Sequence, residues 1–106
     1  MNVISSGTQS ATVTTKHSLH ATTTAATYVL MVDCSAMVIG DFLDLSIDVA
    51  YDSGGTLRQT YSVTYAHGQS DPGKVSVPVV APYGAEFFLK QAAGTSRSFP
   101  WALVAL

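Results

Sequence analysis

Residues 41–66 read DFLDLSIDVAYDSGGTLRQTYSVTYA, and the alternation within them decides the fold class. In steps of two, Leu43, Leu45, Ile47, Val49 and Tyr51 fall on one face, and Asp44, Ser46, Asp48 and Ala50 on the other. The pattern resumes with Leu57, Tyr61, Val63 and Tyr65 set against Arg58, Thr60, Ser62 and Thr64. Successive side chains of an extended strand point to opposite faces, so each half predicts a strand with one apolar and one polar side. Between the halves, Asp52-Ser53-Gly54-Gly55 supplies the glycines that a tight reversal needs. The stretch is an antiparallel hairpin. A hairpin alone cannot bury its apolar face, so further strands must cover it. Leu45, Ile47, Val63 and Trp101 are expected to meet in one core.

Working outward, Thr27–Asp33 is a short apolar run of β-formers. Its length and the threonines before it favour a strand over a helix segment. Cys34–Gly40 links it to the hairpin, with room for one helical turn. Upstream, residues 1–24 are rich in Ser and Thr. Residues 9–20 are expected to hold a strand, with 1–6 as an arm. The alternative makes all of 1–20 an N-terminal arm that orders on contact with a partner. Downstream, His67–Lys74 is a loop built on Asp71-Pro72-Gly73. Val75, Val77 and Val79 alternate with Ser76 and Pro78, and the proline predicts an edge or bulged strand. After a turn at Ala81–Gly84, Ala85–Gln91 and Ser98–Leu106 are expected to pair as a final hairpin. Seven to eight short strands without a helical pattern predict one all-β domain over 1–106, an antiparallel β-sandwich or jelly-roll-like small barrel.

Hydrophobic residues make up 47% of the chain, enough for one core, but charged residues only 11%, against roughly 25% in soluble globular proteins. So little charge gives weak mutual repulsion and favours association. The five basic residues, Lys16, Arg58, Lys74, Lys90 and Arg97, are scattered, whereas binding a phosphate backbone demands a cluster; no nucleic-acid partner is expected. No membrane contact is expected either, since no apolar run approaches the ~20 residues of a span and residues 1–10 lack the pattern of a signal peptide. Cys34 is the single cysteine, which leaves no intrachain disulfide and suggests a small core filler.

No catalytic, cofactor or metal site is expected. His17 and His20 are oddly spaced, which sends them to opposite faces of a regular strand; solvent-facing histidines account for them. His67 stands in a loop without an evident partner. Asp41, Asp44 and Asp48 are spread along a strand, where a solvated face explains them better than a Ca²⁺ site needing six to eight clustered oxygens. The glycines form no phosphate-binding loop. The aromatic residues say more. Phe87 and Phe88 are adjacent on one strand, so if Phe87 and Leu89 face the core, Phe88 faces outward and is expected to join Val104 and Leu106. Such an outward apolar patch marks an interaction surface, with sister copies or with another partner, unless a loop or the N-terminal arm folds over it.

The segments TTTAATYVLMVD (22–33), GDFLDLSI (40–47), GGTLRQTY (54–61) and PYGAEFFLKQAAGTSRSFPWALVAL (82–106) resemble small β-rich virion proteins of tailed bacteriophages. Among these the chain is most similar to capsid cement, or decoration, proteins. The resemblance implies a β-sandwich, made in the host cytoplasm, that sits as a homotrimer on the outer surface of the shell. Its partner would then be the major capsid protein, and its action the stabilisation of the shell. Two other readings stay open: a tail, fibre or baseplate module binding host glycan through Tyr51, Tyr65, Tyr83 or Trp101, and a small enzyme whose site the sequence does not reveal.

Overall fold

The computed structural model describes residues 1–66 and 71–106, which form nine strands and no helix. In chain order these are β1 (Asn2–Ser10), β2 (Lys16–Thr22), β3 (Ala26–Asp33), β4 (Phe42–Ala50), β5 (Leu57–Ala66), β6 (Gly73–Val75), β7 (Val79–Ala81), β8 (Ala85–Ala93) and β9 (Ser98–Ala105). They build two antiparallel sheets. Sheet A has the order β1-β9-β3, with β6 and β7 side by side in sequence along the far edge of β3. Sheet B has the order β2-β8-β4-β5. The fold is the expected β-sandwich, with more strands than the sequence predicts.

The inward faces follow from the alternation. Leu43, Leu45, Ile47 and Val49 of β4, with Phe87 and Leu89 of β8, meet Tyr28, Leu30 and Val32 of β3 and Phe99 and Leu103 of β9. Tyr28 meets Phe87 edge-on, ring centroids 5.5 Å apart, the arrangement aromatic quadrupoles favour. Each large apolar side chain removed from water contributes about 1.5–3 kcal/mol, and these seal the two sheets together. Leu45 and Ile47 are fully buried, as expected; Val63 and Trp101 pack against the same core from its margin. The central hairpin turns where predicted: the Asp52 carboxylate accepts from Gly54 N, and Gly55 adopts φ +75°.

Four expectations need correction. Residues 1–20 are not an arm, because Asn2–Ser10 pairs with β9 from Asn2↔Ala105 to Ser10↔Ser98. Val3, Ile4 and Thr8 supply β-propensity, and the backbone ladder does not require the rest of the strand to be apolar. Residues 9–20 are not one strand; the chain breaks between Ser10 and Lys16, with Thr14 at positive φ. Ala85–Gln91 and Ser98–Leu106 are not a hairpin, since β8 lies in sheet B and β9 in sheet A. The chain crosses between sheets there. Finally, β5 carries a bulge at Thr60: Tyr61 pairs with Ile47 but Gln59 with Asp48. One extra residue inverts the alternation beyond it, so Leu57 leaves the apolar face to which its spacing assigned it. The edge or bulged strand expected from Pro78 is an edge, formed by β6 and β7 along β3 and broken at Ser76–Pro78. Ser76 fills that break, accepting from Leu30 N at 2.9 Å while its own N donates to Leu30 O. Cys34–Gly40 contains turns and no helix.

A buried polar corner accompanies the crossing from β8 to β9. Asp41, 1% exposed, accepts from Val38 N (2.9 Å), Thr95 N (3.2 Å) and Arg97 Nε (3.0 Å). Gln91 is fully buried beside it; its amide donates to Ala93 O and Thr95 O, and its carbonyl accepts from Arg97 N. Burial alone would push the Asp41 carboxyl up, but its donors on Val38, Arg97 and Thr95 outweigh that and hold it below its ordinary value of 3.8. Gly94 stands at φ +97°, and a Cβ there would overlap Asp41 Oδ1.

Candidate interaction surface

The two outward faces of the sandwich differ in chemistry. On sheet B, strand register sets Lys16, Lys90, Asp44 and Thr64 in one row, and Ala21, Glu86, Asp48 and Gln59 in another. Thr64 donates to Asp44 at 2.6 Å and Ser18 to Glu86 at 2.7 Å. This face is a hydrogen-bonded, charged surface of the kind water solvates. Asp44 lies here, as expected of a solvated strand face. Asp48 lies on the same face, but its Oδ1 is buried without a partner among the described residues. Asp41 does not lie here, being locked in the buried corner.

On sheet A the outward rows are Val3, Val104 and Val29, then Ser6, Ala102, Met31 and Val75, with Thr27 and Val80 beside them. Asp33, at one end, is the single charged residue in these outward positions of the described strands. Its carboxyl is held below the usual range by hydrogen bonds from the Ser35 backbone and side chain. Val29 and Val104 lie mid-sheet and are 8% and 6% exposed, while Met31, Val75 and Val80 stand 43%, 54% and 69% exposed. At one end Met31, Val75, Pro100, Trp101 and Ala102, rimmed by Asp33 and Lys74, line a shallow depression of about 380 Å³. Large exposed apolar patches mark interaction sites more often than they occur by accident. This face is the candidate site.

The expected patch of Phe88, Val104 and Leu106 is not assembled. Val104 belongs to the outward face of sheet A, where Leu106 follows it, but Phe88 lies on the opposite side of the molecule. There Phe88 sits between Ser18 and Ser46, with the Lys16 ammonium 4.1 Å from its ring centre. The error follows from taking β8 and β9 as one hairpin, since hairpin partners share an outward face and strands of opposed sheets do not. Sequence spacing also gave no sign of Met31, Val75 and Val80 as neighbours; only the pairing of β3 with β6 and β7 brings them together.

The remaining candidates are dispersed. A bulge at Leu19 pairs His17 with Leu89 and His20 with Phe87, so both histidines fall on the inward side of β2, contrary to the expected opposite faces. His17 Nε2 already accepts from Thr12 N at 3.0 Å. No group of three or more potential metal ligands occurs among the described residues, and His67 lies outside them. Cys34 is buried in the core, and its burial pushes the thiol up to about 11, so it stays protonated at neutral pH. Of the four proposed stacking rings, Tyr51 and Tyr83 are exposed, whereas Trp101 packs against the core opposite Gly7, and Tyr65 lies under Lys74. Burial, reinforced by the Tyr61 phenol, pushes the Tyr65 phenol up to about 12.

Comparison with family models, curated proteins and solved structures finds no match to this chain.

Proposed function

We propose that this protein is a structural adhesive, a capsid cement protein that lays the outward face of sheet A on the major capsid protein of a phage shell. The single observation that supports it is the contrast between the two faces: one charged and solvated, the other nearly free of charge with valine, methionine and proline side chains outward. The resemblance of the sequence to phage decoration proteins supplies the partner. Cementing works by linkage, because a ligand that binds only the assembled lattice stabilises it by mass action. Many copies, each burying a modest apolar area, then add up to a shell that resists rupture.

The test mixes purified protein with undecorated capsids and reads occupancy and rupture temperature. Saturable, symmetric occupancy and a raised rupture temperature are expected. Met31→Lys with Val75→Lys should abolish both while leaving the sandwich melting as before, since those side chains are already half-exposed. Capsids that ignore the protein, with labelled protein retained on host glycans instead, would replace the cement with the adhesin.

A further inference from the structure

We propose that β5 is a self-pairing edge, through which two copies join antiparallel about Val63 so that two four-stranded B sheets become one of eight. The sequence of the edge is its own complement. Tyr61-Ser62-Val63-Thr64-Tyr65 reads almost the same in both directions, Ser and Thr being equivalent in size class and hydroxyl chemistry. Antiparallel pairing centred on Val63 sets Tyr61 opposite Tyr65 of the second copy, Ser62 opposite Thr64, and Val63 opposite itself. Aromatic pairs, hydroxyl pairs and β-branched pairs are the cross-strand combinations that stabilise a sheet.

The edge is available for it. Among the described residues β5 pairs only with β4, so the other side of its backbone offers a row of unpaired N–H and C=O groups. Proteins usually blunt such edges with bulges, prolines, charges or short strands. The other three edges are each interrupted, β1 only near its start, so that its Ser5–Ser10 stretch stays regular. β1 has a bulge at Ile4, and β2 has one at Leu19 together with Lys16. The β6/β7 edge is two three-residue strands broken at Ser76–Pro78. β5 is the longest strand of the fold. Its bulge at Thr60 and its one charge, Arg58, both precede Tyr61. Among the described residues no bulge, proline or charge of β5 itself interrupts Tyr61 to Tyr65, while Lys74 lies over the Tyr65 ring.

The side chains on this edge are also left unfinished by a single copy. Tyr61, Val63 and Tyr65 pack on the margin of the core and are only partly buried, and Ser62 and Thr64 are exposed. A second β5 laid alongside would cover the first three with their own counterparts. The pairing is two-fold, in place of the three-fold arrangement that the resemblance to decoration proteins implies, and it needs neither a capsid nor the outward face of sheet A.

The test is the association state of the purified protein, by sedimentation equilibrium over a wide concentration range, with circular dichroism to establish folding. A monomer–dimer equilibrium is expected. Ser62→Lys with Thr64→Lys opposes two lysine pairs across the two-fold axis and should raise the dissociation constant about tenfold or more. Ser62→Glu with Thr64→Lys makes the same positions attractive, and should keep the dimer. Should the lysine variant not fold, Val63→Cys reads the register directly. Opposed antiparallel residues have Cα atoms about 4.5–5.5 Å apart, within disulfide range, so oxidised glutathione should yield a cross-linked dimer. A monomer at every concentration overturns the proposal. So does a dimer that is indifferent to both charge variants, and so does one lost on Met31→Lys with Val75→Lys, which would place self-association on sheet A.

Discussion

Asp41 stands between Gly40 and Phe42, just before β4, and nothing in its spacing to Asp44 and Asp48 announces that it is the carboxylate locked in a hydrogen-bonded corner. Its burial depends on Thr95 and Arg97, more than fifty residues away, which spacing along β4 does not reveal. Asp41→Asn keeps the shape but sets an amide against N–H donors, so a loss of about 1–3 kcal/mol in denaturant unfolding is expected. The pH dependence has a definite sign. A carboxyl held below its unfolded value stabilises the fold above that value, and the stabilisation is lost as pH falls through the folded one. For Asp41 that window lies below 3.8. The wild type should therefore lose stability there more steeply than Asp41→Asn, as measured by urea midpoints between neutral pH and strong acid. Leu45 was legible at once: its alternation placed it inward, and it is fully buried. Leu45→Asp would put an unpaired carboxylate in the apolar core, at a cost of several kcal/mol. A soluble Leu45→Asp variant with a cooperative melt would contradict that core.

At the scale of elements, period-two alternation gave the central hairpin and β8, because each has one face that must be dry, while β3 followed from a short continuous apolar run of β-formers. It did not give partners. A strand's own pattern says which side is buried but not which sheet it joins, so β8 and β9 read as a hairpin although they lie in opposite sheets. Bulges were equally hidden where no proline or glycine marked them, as at Thr60 and Leu19, and each reversed the face assigned to a residue. Pro78 was the exception, since a missing N–H announces an irregular edge. The break it accompanies depends on Ser76, whose hydroxyl accepts from Leu30 N at 2.9 Å. Ser76→Ala leaves that buried donor unpaired and should destabilise by about 1–3 kcal/mol. Hydrogen exchange should localise the effect, with Leu30 N losing protection before the amides of β4.

For the whole molecule, the fold class followed from pattern and composition, whereas the outward apolar face did not, because it is assembled from four separate stretches of chain. Low charge foretold only that some surface would be sticky. The place of β1 changes the outlook for truncation. Removing residues 1–10 strips one side of β9 of its ladder and should lower the melting temperature, whereas a disordered arm could be removed without effect. Calorimetry of the truncated chain decides between them. The strand order of sheet A also sets a schedule. β9, the last strand in the sequence, lies in the middle of that sheet, between β1, the first, and β3. During synthesis β1 therefore has no neighbour to pair with until nearly a hundred further residues have been made. Sheet B needs only β2, β4, β5 and β8, and can close first. A nascent chain stalled before Ser98 would hold one finished sheet with only β3, β6 and β7 to cover its apolar side and the places of β9 and β1 open, a form in which chaperones rather than partners are its natural company.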